Sequence, residues 1–125
     1  MGKALEGIRV LDFTTMAAGP TAAMLADYGA EVIKIERPGR GEDGRKFPPM
    51  VDGESLTYCW FNRGKKSLAV DMKDPEGLEL VKKLIPTAQV ILENFRPGTM
   101  KKFGLDYESV SQWNPGIVYA TVTGY

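Results

Sequence analysis

The sequence predicts an α/β domain with a mainly parallel sheet flanked by helices. Apolar runs of strand length recur along the chain, at Ile8–Phe13, Val32–Ile35, Ser67–Asp71, Val90–Glu93 and Ile117–Thr123. Helical patterns fill the intervals between them. Such alternation implies βαβ crossovers, which set strands side by side in parallel. The opening unit adds the third observation, because residues 8–37 read as one continuous strand–loop–helix–strand unit.

In that unit a hydrophobic strand runs into the loop Thr14–Pro20, and a small-residue helix, Thr21 to Tyr28, stops at Gly29. The second strand ends on Glu36-Arg37-Pro38. A strand, a tight loop and a helix N-terminus leave backbone N–H groups free for a ligand. Further on, Leu78, Leu80, Val81, Leu84 and Ile85 are spaced for one buried helical face. Asp74 is suited to cap this helix, Pro75 to its first position, and Pro86 ends it. A short helix is expected over Thr99–Phe103 with Gly104 just beyond it. Another is expected from the Asp106 cap to before Asn114-Pro115. Residues Pro38–Pro49 form one long irregular stretch, rich in Gly and charge, of a length that is usually functional or mobile. No internal repeat is present.

A chain of 125 residues with 43% hydrophobic composition can bury one core. Sixteen basic and sixteen acidic residues cancel, so no positive field gathers nucleic acid and no polybasic tract suggests a membrane surface. There is no apolar run of membrane-spanning length and no signal-peptide pattern, so a soluble cytoplasmic location is expected. One cysteine and no histidine leave neither a disulfide nor a zinc site to expect, and no metal is expected. Cys59 sits in Tyr58-Cys59-Trp60-Phe61 without a base or cation before Arg63, so a buried, inert thiol is the expectation.

The site-bearing candidates cluster at strand exits. The first loop has one glycine before its helix where a dinucleotide fingerprint wants three. Glu36 stands near the place of a ribose acid, but the usual pyrophosphate approach is missing, and the loop also reads as a plain connector. Ala17-Ala18-Gly19 lacks bulk and suits something thin and extended. Arg37 and Lys73 leave strands at the carboxyl edge, where open α/β sheets bind ligands. A guanidinium there can stack on a purine or pair with phosphate, and it can equally be a solvated strand end. Asn62–Lys66 reads as a solvated turn. Asn94-Phe95-Arg96 offers a donor, a flat face and a charge at a third exit. Together these exits suit an adenine and phosphates.

The same residues carry a family resemblance. The segments Val10–Asp12, Ala18–Pro20 and Leu25–Gly39 resemble the opening of the class III coenzyme A transferases of the CaiB/BaiF type. That family includes formyl-CoA transferase, carnitine CoA-transferase and α-methylacyl-CoA racemase. The likeness continues through Asn62–Ser67, Asp71–Gly77, Glu93–Gly98, Gly104–Tyr107, Asn114-Pro115 and Tyr119–Tyr125, in order and over essentially the whole chain. It implies that residues 1–125 are the N-terminal part of a Rossmann-like, CoA-binding domain within an interlocked-dimer fold several hundred residues long.

It further implies that adenine and 3′-phosphate lie near Arg37, Val70, Lys73, Asn94, Phe95 and Arg96, and that pantetheine passes Met16, Ala17 and Ala18. Formyl-CoA transferases carry glutamine at the position of Ala17, which argues against a formyl or oxalyl substrate. The implied reaction moves CoA between an acyl-CoA and a free carboxylic acid through an aspartyl-CoA thioester. The nucleophilic aspartate matches no residue of this chain, nor do the histidine and aspartate of the racemase alternative. No catalytic residue is therefore expected within these residues, and alone they are expected to be at most a CoA-binding module without turnover.

Overall fold

The first strand is the middle of the sheet. In a computed structural model describing residues 2–124, β1 (Arg9–Asp12) pairs in parallel with β2 (Glu31–Glu36) on one side and β6 (Val90–Glu93) on the other. The sheet continues outward to β5 (Lys66–Ala69) beside β2 and β7 (Val118–Thr121) beside β6. Its order is β5-β2-β1-β6-β7, and every pairing is parallel. All five expected strands are present. The register sets Leu11 opposite Ile33 and Ile91, and Asp12 opposite Lys34 and Leu92.

A central parallel strand is covered on both faces, so its successive residues enter two different cores. Leu11 and Phe13 join Ile35, Val81, Ile85, Ile91 and Val110 in the larger core. That core is roofed by α3 (Pro75–Leu84), α4 (Thr99–Lys102) and α5 (Tyr107–Trp113). Val10 and Val32 join Ala22 and Leu92 in a smaller core beneath α1 (Gly19–Asp27). The small residues of α1 let it lie close to the sheet.

Helix α3 follows its sequence signals. The Asp74 carboxylate accepts the Glu76 N–H at 2.8 Å, Pro75 opens the helix, and Lys82 and Lys83 occupy its last turn, where the dipole favours cations. Gly77 is required by close approach, since a Cβ there would stand 2.2 Å from the Asp71 carbonyl oxygen. Gly104, with φ +64°, ends α4 as expected.

Three features of the β2–β5 crossover depart from expectation. The irregular stretch contains a 3-10 turn at Asp43–Lys46, and it leads to a two-stranded antiparallel hairpin, β3 (Met50–Val51) and β4 (Glu54–Ser55). A helix, α2 (Leu56–Phe61), follows, capped by the Ser55 hydroxyl accepting the Tyr58 N–H. No residue of α2 is fully buried. Cys59 is consequently exposed, which corrects the expectation of a buried thiol.

Candidate functional site

Strand order reverses between β1 and β6, and the crevice at such a switch point, beyond the strands' carboxyl ends, is where open α/β sheets hold ligands. A cavity of about 400 Å³ opens there. Phe13, Ile35, Val70, Phe95 and Phe103 give it apolar walls, Arg37 and Lys73 supply exposed cations, and Lys34, Glu36, Glu42, Asp43 and Asp71 also line it. Thus Arg37, Val70, Lys73 and Phe95, which come from three separate strand exits, meet in one place. The Arg37 guanidinium donates to Asp43 at 2.8 Å, an exposed pair that an incoming phosphate can replace.

The other expected contacts are placed differently. Met16–Ala18 form a 3-10 turn leading into α1, next to the cavity residues Thr14 and Thr15. The Asn94 amide is engaged at both ends, accepting the Thr15 N–H at 2.8 Å and donating to the Thr15 carbonyl at 2.9 Å. It fastens the loop after β1. Arg96 lines a second cavity, with Glu93, Tyr107 and Tyr119, so the structure does not bring it to Arg37 and Lys73.

Beneath the loop lies a buried charge network. Asp12 ends the central strand on the α1 face, with its side chain wholly buried. Its Oδ1 accepts the N–H and hydroxyl of Thr14, and its Oδ2 meets Lys65 Nζ at 2.7 Å. Lys65 also donates to the Gly19 carbonyl at 2.9 Å and to Asn62 Oδ1 at 2.8 Å. Burial holds its ammonium below the ordinary lysine range, with Asp12 pulling the other way. Lys34, one strand over, donates to the Thr14 carbonyl at 2.7 Å and pairs with Glu42 at 2.6 Å. Two cations and two carboxylates are therefore buried together, each offsetting another's desolvation.

Lys65 corrects the reading of Asn62–Lys66 as a solvated turn. Two signals point to it. A carboxylate at the end of a buried central strand needs a cation, and Lys65 and Lys66 enter a strand, where neighbours face opposite ways. Lys66 accordingly stays at the surface on Glu31.

Glu36 is equally committed. Its carboxylate takes Arg45 Nε at 2.8 Å, a second Arg45 nitrogen at 2.9 Å, the Tyr58 hydroxyl at 2.6 Å and the Glu42 N–H at 3.2 Å. Burial alone would push the carboxyl up, but these donors bring it down to about 2. Burial and that same carboxylate push the Tyr58 phenol well above the usual tyrosine range. With all its lone pairs used, Glu36 ties the loop after β2 to α2 and is not free to take a ribose.

The cavity thus combines apolar walls, the exposed cations Arg37 and Lys73, paired buried charges and a loop held by side chains. Across residues 5–125, the chain matches the sequence model of the CoA-transferase family III. The chain belongs to that family. Succinyl-CoA:glutarate CoA-transferase of Mus musculus is 50% identical over 125 residues, covering 98% of this chain and 29% of the relative. Formyl-CoA:oxalate CoA-transferase of Afipia carboxidovorans is 39% identical over 127 residues, covering 100% of this chain and 30% of the relative. The crystal structure of a CAIB/BAIF family protein from Brucella suis superposes with a TM-score of 0.92 at 37% identity, over 100% of this chain and 34% of that one. The chain spans about a third of the length of the family III relatives it matches. Among the described residues no helix is long and apolar enough to cross a membrane.

Proposed function

We propose that this chain is the N-terminal part of a family III CoA transferase and forms the floor of its CoA site. The observation that carries the reading is the convergence of Arg37 and Lys73 on an apolar cavity walled by Phe95 at the sheet's switch point. Adenine stacks against the apolar wall, the two cations take the 3′-phosphate, and pantetheine runs past Met16, Ala17 and Ala18. Asn94 supports the site by fixing Thr15.

The whole protein moves CoA from an acyl-CoA to a free carboxylic acid. A carboxylate supplied by residues outside this chain attacks the acyl thioester, giving a mixed anhydride and CoA thiolate. The thiolate attacks the aspartyl carbonyl of the anhydride and frees the first acid. The acceptor acid then attacks the aspartyl-CoA thioester and receives CoA by the reverse of these steps. The names and higher identity of the succinyl-CoA:glutarate relatives favour that acyl class over formyl-CoA and oxalate, in keeping with Ala17. The same names favour transfer over racemisation. The site is completed in a cytoplasmic, interlocked homodimer.

The test is calorimetric binding of CoA and dephospho-CoA to the full-length protein. Arg37→Ala and Lys73→Ala are each expected to weaken CoA by ~1.5–3 kcal/mol, as for charge-assisted contacts to phosphate, and to leave dephospho-CoA nearly unchanged. Equal losses for both ligands would remove the 3′-phosphate from these residues. CoA exchange by residues 1–125 alone would overturn the placement of the nucleophile outside them.

A further inference from the structure

Besides Asp12, which accepts the Thr14 N–H, three side chains from three other segments hold the backbone of residues 14–16. Lys34 on β2 takes the Thr14 carbonyl at 2.7 Å, Asn94 beyond β6 brackets Thr15, and Glu42 Oε1 accepts the Met16 N–H at 2.6 Å. The last of these stands apart. Met16 has φ +49°, a left-handed conformation unusual for a side chain other than glycine or asparagine, and one that persists only where its surroundings enforce it. Of these three, Lys34 lies within a strand and Asn94 directly follows one, whereas Glu42 stands six residues beyond the end of β2. It lies in the loop after β2, which carries Arg37 and Asp43 to the cavity, and its own N–H is held by Glu36.

We infer that Glu42 is a positioning residue for the ligand's thioester arm: it holds Met16 in its left-handed turn and thereby couples the loop after β2 to the loop after β1. The buried carboxylate works on two sides: Oε1 accepts the Met16 N–H, while Oε2 accepts no hydrogen bond and faces the Lys34 ammonium as an ion pair at 2.6 Å. A carboxylate is needed, because one oxygen accepts from the Met16 N–H while the other sets a negative charge against Lys34. A glutamine turns a donor toward either the Met16 N–H or the Lys34 ammonium. Gly44 closes the arrangement from above. A Cβ there would stand 3.0 Å from Glu42 Oε1 and 3.3 Å from Met16 Sδ.

The inference rests on the proposed CoA site, in which pantetheine passes Met16 while Arg37 and Lys73 hold the nucleotide end. It therefore requires a split between ligands. In the full-length protein, Glu42→Gln is expected to weaken CoA about tenfold, the scale of one hydrogen bond to a charged partner. Adenosine 3′,5′-bisphosphate, which lacks the pantetheine arm, is expected to bind within about twofold of wild type, because the Glu36–Arg45 contacts near Arg37 are intact. Gly44→Ala keeps every charge and presses only on Glu42 and Met16, so it is expected to give the same split at about threefold. It decides the matter if Glu42→Gln fails to fold. Equal weakening of both ligands would reduce Glu42 to general support and overturn the inference, as would unchanged CoA binding in both variants. A wild-type protein that binds no CoA would overturn the proposed site itself.

Discussion

Replacing Lys65 by methionine keeps most of the side chain's volume and removes its charge. The environment makes this a severe change. The Lys65 side chain is only 2% exposed and that of Asp12 not at all, so no water can replace the ammonium on Asp12 Oδ2 at 2.7 Å. The Gly19 carbonyl and the Asn62 amide oxygen lose their donor as well. Breaking a buried pair by removing one member costs about 3–5 kcal/mol. Lys34 stands 3.9 Å from Asp12 Oδ2 and moderates the loss, which places the expectation near ~3 kcal/mol. Lys66→Met is the internal control one residue away. Its side chain is 70% exposed and its pair with Glu31 is a surface contact, worth less than about 1 kcal/mol. Urea unfolding of the full-length protein should separate the two, with a midpoint lowered by ~1 M or more for Lys65→Met and little changed for Lys66→Met. The double variant Asp12→Leu/Lys65→Met should recover part of the loss, because it removes the orphaned charge. Similar small losses for both lysines would refute the assignment of Lys65 to the buried network.

Two further outcomes follow from the geometry. Glu36 is held at about 2 against an ordinary 4.5, so its stabilisation is present above pH 4.5 and is lost as pH falls toward 2. Glu36→Gln should therefore cost ~3 kcal/mol near pH 7, from about 1.4 kcal/mol per unit, and the gap from wild type in urea midpoints should close on acidification. A gap that is constant from pH 7 to 3 would contradict the four donors. Gly77→Ala should destabilise by ~2 kcal/mol or more. The methyl group would press on the Asp71 carbonyl, and this outweighs the ~1 kcal/mol that alanine gains over glycine in a helix. A variant with a raised melting temperature would show that this turn yields.

The sheet was legible because its strands are apolar runs separated by helices with strong ends. Asp74-Pro75 marked the start of α3, and Val90–Glu93 is bounded in the structure as in the sequence. The cavity residues could be grouped because a parallel sheet brings every strand exit to one edge, which is where Arg37, Val70, Lys73 and Phe95 meet. Helix α2 was not legible. It is six residues long and has no buried face, so it has no hydrophobic period to read. Its only local signal is the Ser55 cap. Asn94 and Glu36 show a different limit. Their residue types suit a ligand, and only three-dimensional structure shows that their hydrogen bonds already go to Thr15 and to Arg45 with Tyr58. Arg96 lines the neighbouring cavity, which shares Phe95 with the first, a placement that its position one residue beyond Phe95 does not reveal.

The buried charges also bear on the order in which the chain can assemble as it is made. Asp12 is synthesised 53 residues before Lys65, and its other cation, Lys34, reaches it at only 3.9 Å. Until Lys65 emerges, the middle strand carries a carboxylate that dry packing would penalise, so the growing chain must keep that end of the strand wet. Lys65, in the turn Asn62–Lys66 that reads as surface punctuation, thus acts as the latch on the sheet's interior. The carboxyl edge of the sheet can set only after that latch arrives.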